Sequence, residues 1–171
     1  MEGDNTELFK KEERAKEMFA HFGLAVYLSQ IFEKSVLSLL GTIYFYENKS
    51  KWTKEQYMRE VEKLNKETLG KLLEKIRKIV NLDILTEELV KEAQVKRNFL
   101  IHHYFWTNGL EMNFEVGQQM INKQLIEFQD LFKKADGRIT DINIAFASKV
   151  GITRELIESQ QNIIDEELKK F

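Results

Sequence analysis

Apolar residues recur at steps of three and four along almost the whole chain, which predicts helices throughout. An opening helix spans about Leu8 to Phe22, with Leu8, Met18, Phe19 and Phe22 set among charges. A second runs from Leu24 to about Tyr46 on the stripe Leu28, Phe32, Val36, Leu39 and Ile43. Gly23 either separates these two or lies inside one long helix. Thr53 followed by Gln56 three residues on has the form of a capping box opening a mostly polar helix with Tyr57, Val61 and Leu64. Thr68 can cap another, whose inner face carries Leu69, Leu72, Leu73, Ile76 and Val80 and whose outer face carries Lys71, Lys75 and Lys78. Thr86 starts the next helix, which extends to about Trp106. Further on, Ile121, Leu125, Phe128, Phe132, Ala135, Ile139, Ile142 and Phe146 keep one phase straight through Asp136-Gly137. This predicts one helix from about 114 to 149, with Gly137 as its weak point. Gly151 ends it, and Thr153 caps a C-terminal helix with Leu156, Ile157, Ile163, Ile164 and Leu168. The expected fold is all-α, an up-and-down helical bundle forming a single domain over 1–171.

Composition supports this and narrows it. The chain has 171 residues, no proline and eight glycines, so the breakers that a turn-rich β fold needs are missing. Cysteine is absent, which excludes disulfides and thiolate metal sites. There is no His-Glu-x-x-His and no histidine pair at helical spacing of four, so no metal and no cofactor is expected. The longest uncharged apolar run, Ser35 to Tyr46, is too short to span a bilayer. The opening segment is polar and rich in acids, unlike a targeting peptide. A cytoplasmic location without membrane association is the expectation.

Charge is nearly balanced, with 26 basic against 28 acidic residues. A nucleic-acid site would therefore have to be local. From Lys51 to Leu100 there are twelve Lys or Arg against nine Asp or Glu, an excess that a solvated helix face explains equally well.

From Val95 to Trp106 apolar residues occur on every side, the pattern of a buried helix. Yet the segment carries Arg97, Asn98, His102, His103 and Tyr104. Asn98 and His102 lie one turn apart on the same side, and His103, on another side, is expected to pack. Burying a guanidinium, an amide and an imidazole together is costly unless they are paired. Either these groups satisfy one another, with a glutamate of another helix for Arg97, or they face a cleft.

The run R-N-F-L-I-H-H-Y at 97–104 resembles the signature of the HEPN superfamily (higher eukaryotes and prokaryotes nucleotide-binding), an Arg followed at four to six residues by His, with a polar residue after the Arg. Arg97, Asn98 and His102 match it. Tyr104 matches an extension found in HEPN toxins encoded beside nucleotidyltransferase antitoxins. The segment after the motif is longer than in those compact toxins, so the resemblance points more firmly to the superfamily than to that branch.

The resemblance implies a metal-independent endoribonuclease of a toxin–antitoxin or antiviral defence system, acting on RNA as a homodimer. His102 would be general acid or base, Arg97 would stabilise the phosphorane-like transition state, and Asn98 would orient the phosphate or the imidazole. Tyr104 would be a modification or RNA-contact residue, and a nucleotidyltransferase-like antitoxin a partner. The alternative is a non-catalytic HEPN-like helical module that binds a nucleotide, an RNA or a partner protein.

Overall fold

A first helix, α1, runs from Glu2 to Asn48 without interruption, so Gly23 lies inside one helix. Among the described residues, no other part of the fold packs within 4 Å of the position a Cβ would take at Gly23. The remaining helices are α2 (Lys54–Leu64), α3 (Leu69–Ile79), α4 (Ile84–His102), the short α5 (Tyr104–Thr107), α6 (Glu115–Ser148) and α7 (Arg154–Leu168), with a 3₁₀ turn at Glu111–Asn113. This computed structural model describes residues 2–169; the side chains of 2–10, 160, 161, 163–165, 167 and 168 are outside its description, and with them Leu8, Ile163, Ile164 and Leu168. The described chain is all-helical. None of the described helices is long and apolar enough to cross a membrane.

The local start signals act unevenly. Thr53 and Gln56 form the reciprocal capping box at the start of α2. Thr68 occupies the N-cap of α3 but makes no side-chain cap bond. The true cap of α4 is Asp83, whose carboxylate accepts from the Thr86 backbone N–H at 3.0 Å and from its hydroxyl at 2.6 Å. Thr86 is thus the third residue of the helix and is buried. α6 passes unbroken through Gly137, as the phase of its stripe requires.

The chain sorts into two compact units. The first comprises residues up to Glu33 together with Leu82–Asp136. Its core combines Met18, Ala25 and Phe32 of α1 with Val90, Ala93 and Leu100 of α4 and with Ile121, Leu125, Phe128 and Phe132 of α6. Two buried glutamines there are bonded: Gln129 donates to the His21 carbonyl at 3.0 Å, and Gln118 donates to the Met112 carbonyl at 2.8 Å while accepting from Arg14 at 3.3 Å. The second unit, Lys34–Asn81 with the chain from Gly137 onward, is built on Val36, Leu39, Leu40 and Ile43 of α1, Leu64 of α2, Leu72, Leu73 and Ile76 of α3, and Ile139 of α6. Leu156 and Ile157 of α7 are exposed.

The start of α6 is packed as closely as a backbone allows. A Cβ at Gly117 would lie 2.1 Å from the carbonyl oxygen of Glu111, a backbone atom that cannot swing aside. Gly117→Ala is therefore expected to cost about 2–3 kcal/mol through overpacking, lowering the melting temperature by about 5–10 °C, as a thermal unfolding curve followed by circular dichroism would read.

Candidate functional site

The residues 97–104 do not form one buried helix. α4 stops at His102, and His103 leaves helical geometry at φ −130°, ψ −12°. This break resets the phase, so the expectation of a helix continuing to Trp106 is corrected. Only Leu100 and Tyr104 of this stretch are buried; Val95 is 58% exposed and Trp106 92%. The expectation of burial on every side fails because the first unit covers one side of α4 and leaves the other open.

Arg97 sits at the margin of the covered side. Its Nη2 donates to Glu33 Oε2 of α1 at 2.7 Å, and Nη1 donates to Asn98 Oδ1 at 3.3 Å. Both members of the ion pair are about three-quarters covered. At that exposure the pair works mainly by orientation: it holds a long, flexible side chain in one geometry. Arginine has more N–H donors than these two bonds use, so the guanidinium retains capacity for an anion. Sequence reasoning allowed a glutamate partner without naming it. Glu33 lies 64 positions away, and no local pattern connects it to Arg97.

Asn98 and His102 both lie on the open side of α4. The His102 imidazole makes no hydrogen bond among the described residues and meets only the ring of His103, centroids 6.2 Å apart. His103 is exposed as well, not packed, because the helix ends beneath it. Val95, Asn98 and His102 follow one another at steps of three and four, so they line one stripe.

Tyr104 faces the opposite way. It is 2% exposed and stands among Phe22 (5.7 Å between centroids), Phe99 (5.7 Å), Phe105 (5.9 Å) and Phe128 (6.2 Å). Its hydroxyl reaches the Ile121 carbonyl at 3.5 Å. Burial pushes its phenol well above the usual tyrosine range. A ring in this setting reaches neither RNA nor a modifying enzyme unless the aromatic cluster opens. Of the four motif residues, the fold thus brings Arg97 and Asn98 into contact, leaves His102 exposed at the end of the same helix, and turns Tyr104 into the core.

No family model, curated protein or solved structure matches the chain. An exposed imidazole can exchange a proton, and an oriented guanidinium with spare N–H donors can bind a phosphate. The exposed apolar residues around them are suited to being covered by a second protein surface.

Proposed function

We propose that this chain is a metal-independent endoribonuclease of the HEPN type, a toxin or defence component that works as a homodimer. The observation that carries this reading is the open face of α4, where Asn98 and His102 stand exposed among uncovered apolar side chains, beside an Arg97 held by Glu33. Two such faces apposed across a two-fold axis would bury Val95 and Trp106 and set two Arg97–His102 pairs around one cleft.

In that cleft one His102 takes the proton from a ribose 2′-hydroxyl, since imidazole side chains exchange protons near neutral pH. The 2′-oxygen attacks the adjacent phosphorus, and Arg97 hydrogen-bonds the oxygens on which negative charge accumulates. The P–O5′ bond breaks, and the other His102 supplies a proton to the leaving 5′-oxygen. The products are a 2′,3′-cyclic phosphate and a 5′-hydroxyl. Asn98 orients the phosphate, and Glu33 positions Arg97.

The test is incubation of purified protein with mixed RNA in the presence of a chelator. The reading expects cleavage with cyclic phosphate ends, lost in His102→Ala and Arg97→Ala. Intact RNA under all conditions, together with no growth defect on expression, would overturn it.

The dimer has its own test. Trp106→Asp places a charge on a residue that is 92% exposed, so the single chain should fold normally while sedimentation shifts from dimer to monomer and cleavage falls with it. A dimer that persists in Trp106→Asp places the interface elsewhere. A nucleotidyltransferase-like antitoxin would be a second occupant for the same face.

One observation favours the non-catalytic reading. The Arg97 guanidinium already has a carboxylate partner at 2.7 Å, which a purely structural role would require. On that reading the same substitutions change binding or stability only.

A further inference from the structure

The second unit carries a structured connection between its first two helices. α1 ends at Asn48 and α2 begins at Lys54. Between them the chain is held tightly: the backbone N–H groups of Lys51 and Trp52 both donate to the Asn48 carbonyl, at 2.8 and 2.9 Å. This fixes the half-buried Trp52, whose indole meets Tyr44 edge-on at 6.2 Å between centroids and an interplanar angle of 85°. Two cavities have that residue in their lining. One, of about 200 Å³, is lined by Phe45, Lys49, Trp52, Lys54 and Tyr57 among others. The other, of about 210 Å³, is lined by Trp52, Gln56, Arg59, Glu60 and Lys63.

Drug-sized ligands occupy sites of about 300–1,000 Å³, so each cavity has room for one flat ring and little more. Basic side chains line both, Lys49 and Lys54 the first and Arg59 and Lys63 the second, the latter with Glu60. From Lys49 to Lys66 there are six Lys or Arg against three Asp or Glu. Glu60 is bonded to Lys63 at 2.5 Å and Glu62 to Lys66 at 3.0 Å. Lys49, Lys51 and Lys54 make no ion pair among the described residues. Lys49 lies 5.8 Å from the centre of the Tyr46 ring, and Lys149 approaches the same ring at 5.6 Å.

From this we infer that the Trp52 surface binds a single-stranded nucleic-acid segment, with bases entering the two cavities that share Trp52 and the backbone phosphates on the surrounding basic side chains. Aromatic faces accept any base, and adjacent cations follow the phosphates; this combination is how single strands are held without sequence reading. Two ring-sized cavities sharing one wall suit successive nucleotides of a polymer better than one free nucleotide. An acidic peptide would use the lysines but not the aromatic walls. The inference stands apart from the ribonuclease reading, because it involves neither Arg97 nor His102.

The experiment measures binding of fluorescein-labelled oligouridylate by anisotropy, using the full-length His102→Ala chain so that cleavage plays no part. Wild-type Trp52 should bind, and raising salt should weaken binding. Trp52→Ala should weaken it about tenfold to a hundredfold, the equivalent of one or two stacked bases. Lys49→Glu with Lys54→Glu should weaken it as much and flatten the salt dependence. Trp52→Phe keeps a ring against Tyr44 and should retain most of the affinity, which separates stacking from loss of fold. The inference fails if no oligonucleotide binds, if these variants bind as tightly as the parent, or if uridine monophosphate competes as well as the oligomer. It also fails if the surface instead sediments with phosphatidylserine vesicles in a Trp52-dependent way. A chain that binds here but cleaves nothing with His102 intact would remove the ribonuclease reading and leave this one standing.

Discussion

Replacing His102 with alanine should reduce RNA cleavage by about 10²–10⁴-fold, the usual contribution of a positioned acid or base, and leave the melting temperature where it was. Both halves of that expectation come from the same geometry. The imidazole is exposed and makes no hydrogen bond among the described residues, so removing it breaks no contact that folding uses. Gel analysis of RNA fragments paired with a thermal melt reads both quantities. Arg97→Ala should behave differently in the second measurement. It leaves the largely covered Glu33 carboxylate without its partner, so a modest loss of stability, about 1 kcal/mol, should accompany the loss of cleavage. Equal cleavage by wild type and His102→Ala would end the ribonuclease reading, whatever the melting curves show.

The second large effect is expected at Tyr104. Tyr104→Ala removes the ring at the centre of a cluster formed by Phe22, Phe99, Phe105 and Phe128. The cavity left behind should cost about 3–5 kcal/mol. Tyr104→Phe keeps the ring and gives up only a hydroxyl contact of 3.5 Å, at the outer limit of hydrogen bonding; its cost should stay under about 1 kcal/mol. Denaturant titration separates the two variants.

The hydroxyl also has a pH signature. Burial raises its pKa above the ordinary value of 10.0, so the unfolded chain loses this proton first as pH rises. The stability the neutral phenol contributes is complete below pH 10.0 and declines as pH climbs from there toward the folded-state value. Tyr104→Phe should flatten that decline. If Tyr104→Phe instead abolished cleavage at unchanged stability, the phenol would belong to the chemistry and not to the core.

Much of the helical architecture was legible because the signals are local. The capping box of Thr53 and Gln56 needs only three residues of separation, and the stripe from Ile121 to Ile139 is buried along its length. The same stripe showed that α6 would pass through Gly137. The exact start of α4 was less legible. Asp83 and Thr86 are both acceptable caps by type, and the choice between them lies in which side chain reaches the free N–H groups. Trp52 was not legible for a different reason. Its first cavity is formed by the end of one helix and the start of the next, its second by Trp52 against the side of α2, and periodicity within helices says nothing about the space beside a residue that lies between them.

By itself, the sequence determined that the chain is helical, where most helices lie, and that a guanidinium, an amide, an imidazole and a phenol crowd one stretch of eight residues. Periodicity specifies which residues share a face, since each helical residue advances by a constant angle. It cannot specify which face another element will cover, because that element arrives from a distant part of the chain. Only the tertiary structure decided that Glu33 meets Arg97, that α4 breaks at His103, and that Tyr104 turns inward while Asn98 and His102 remain in water.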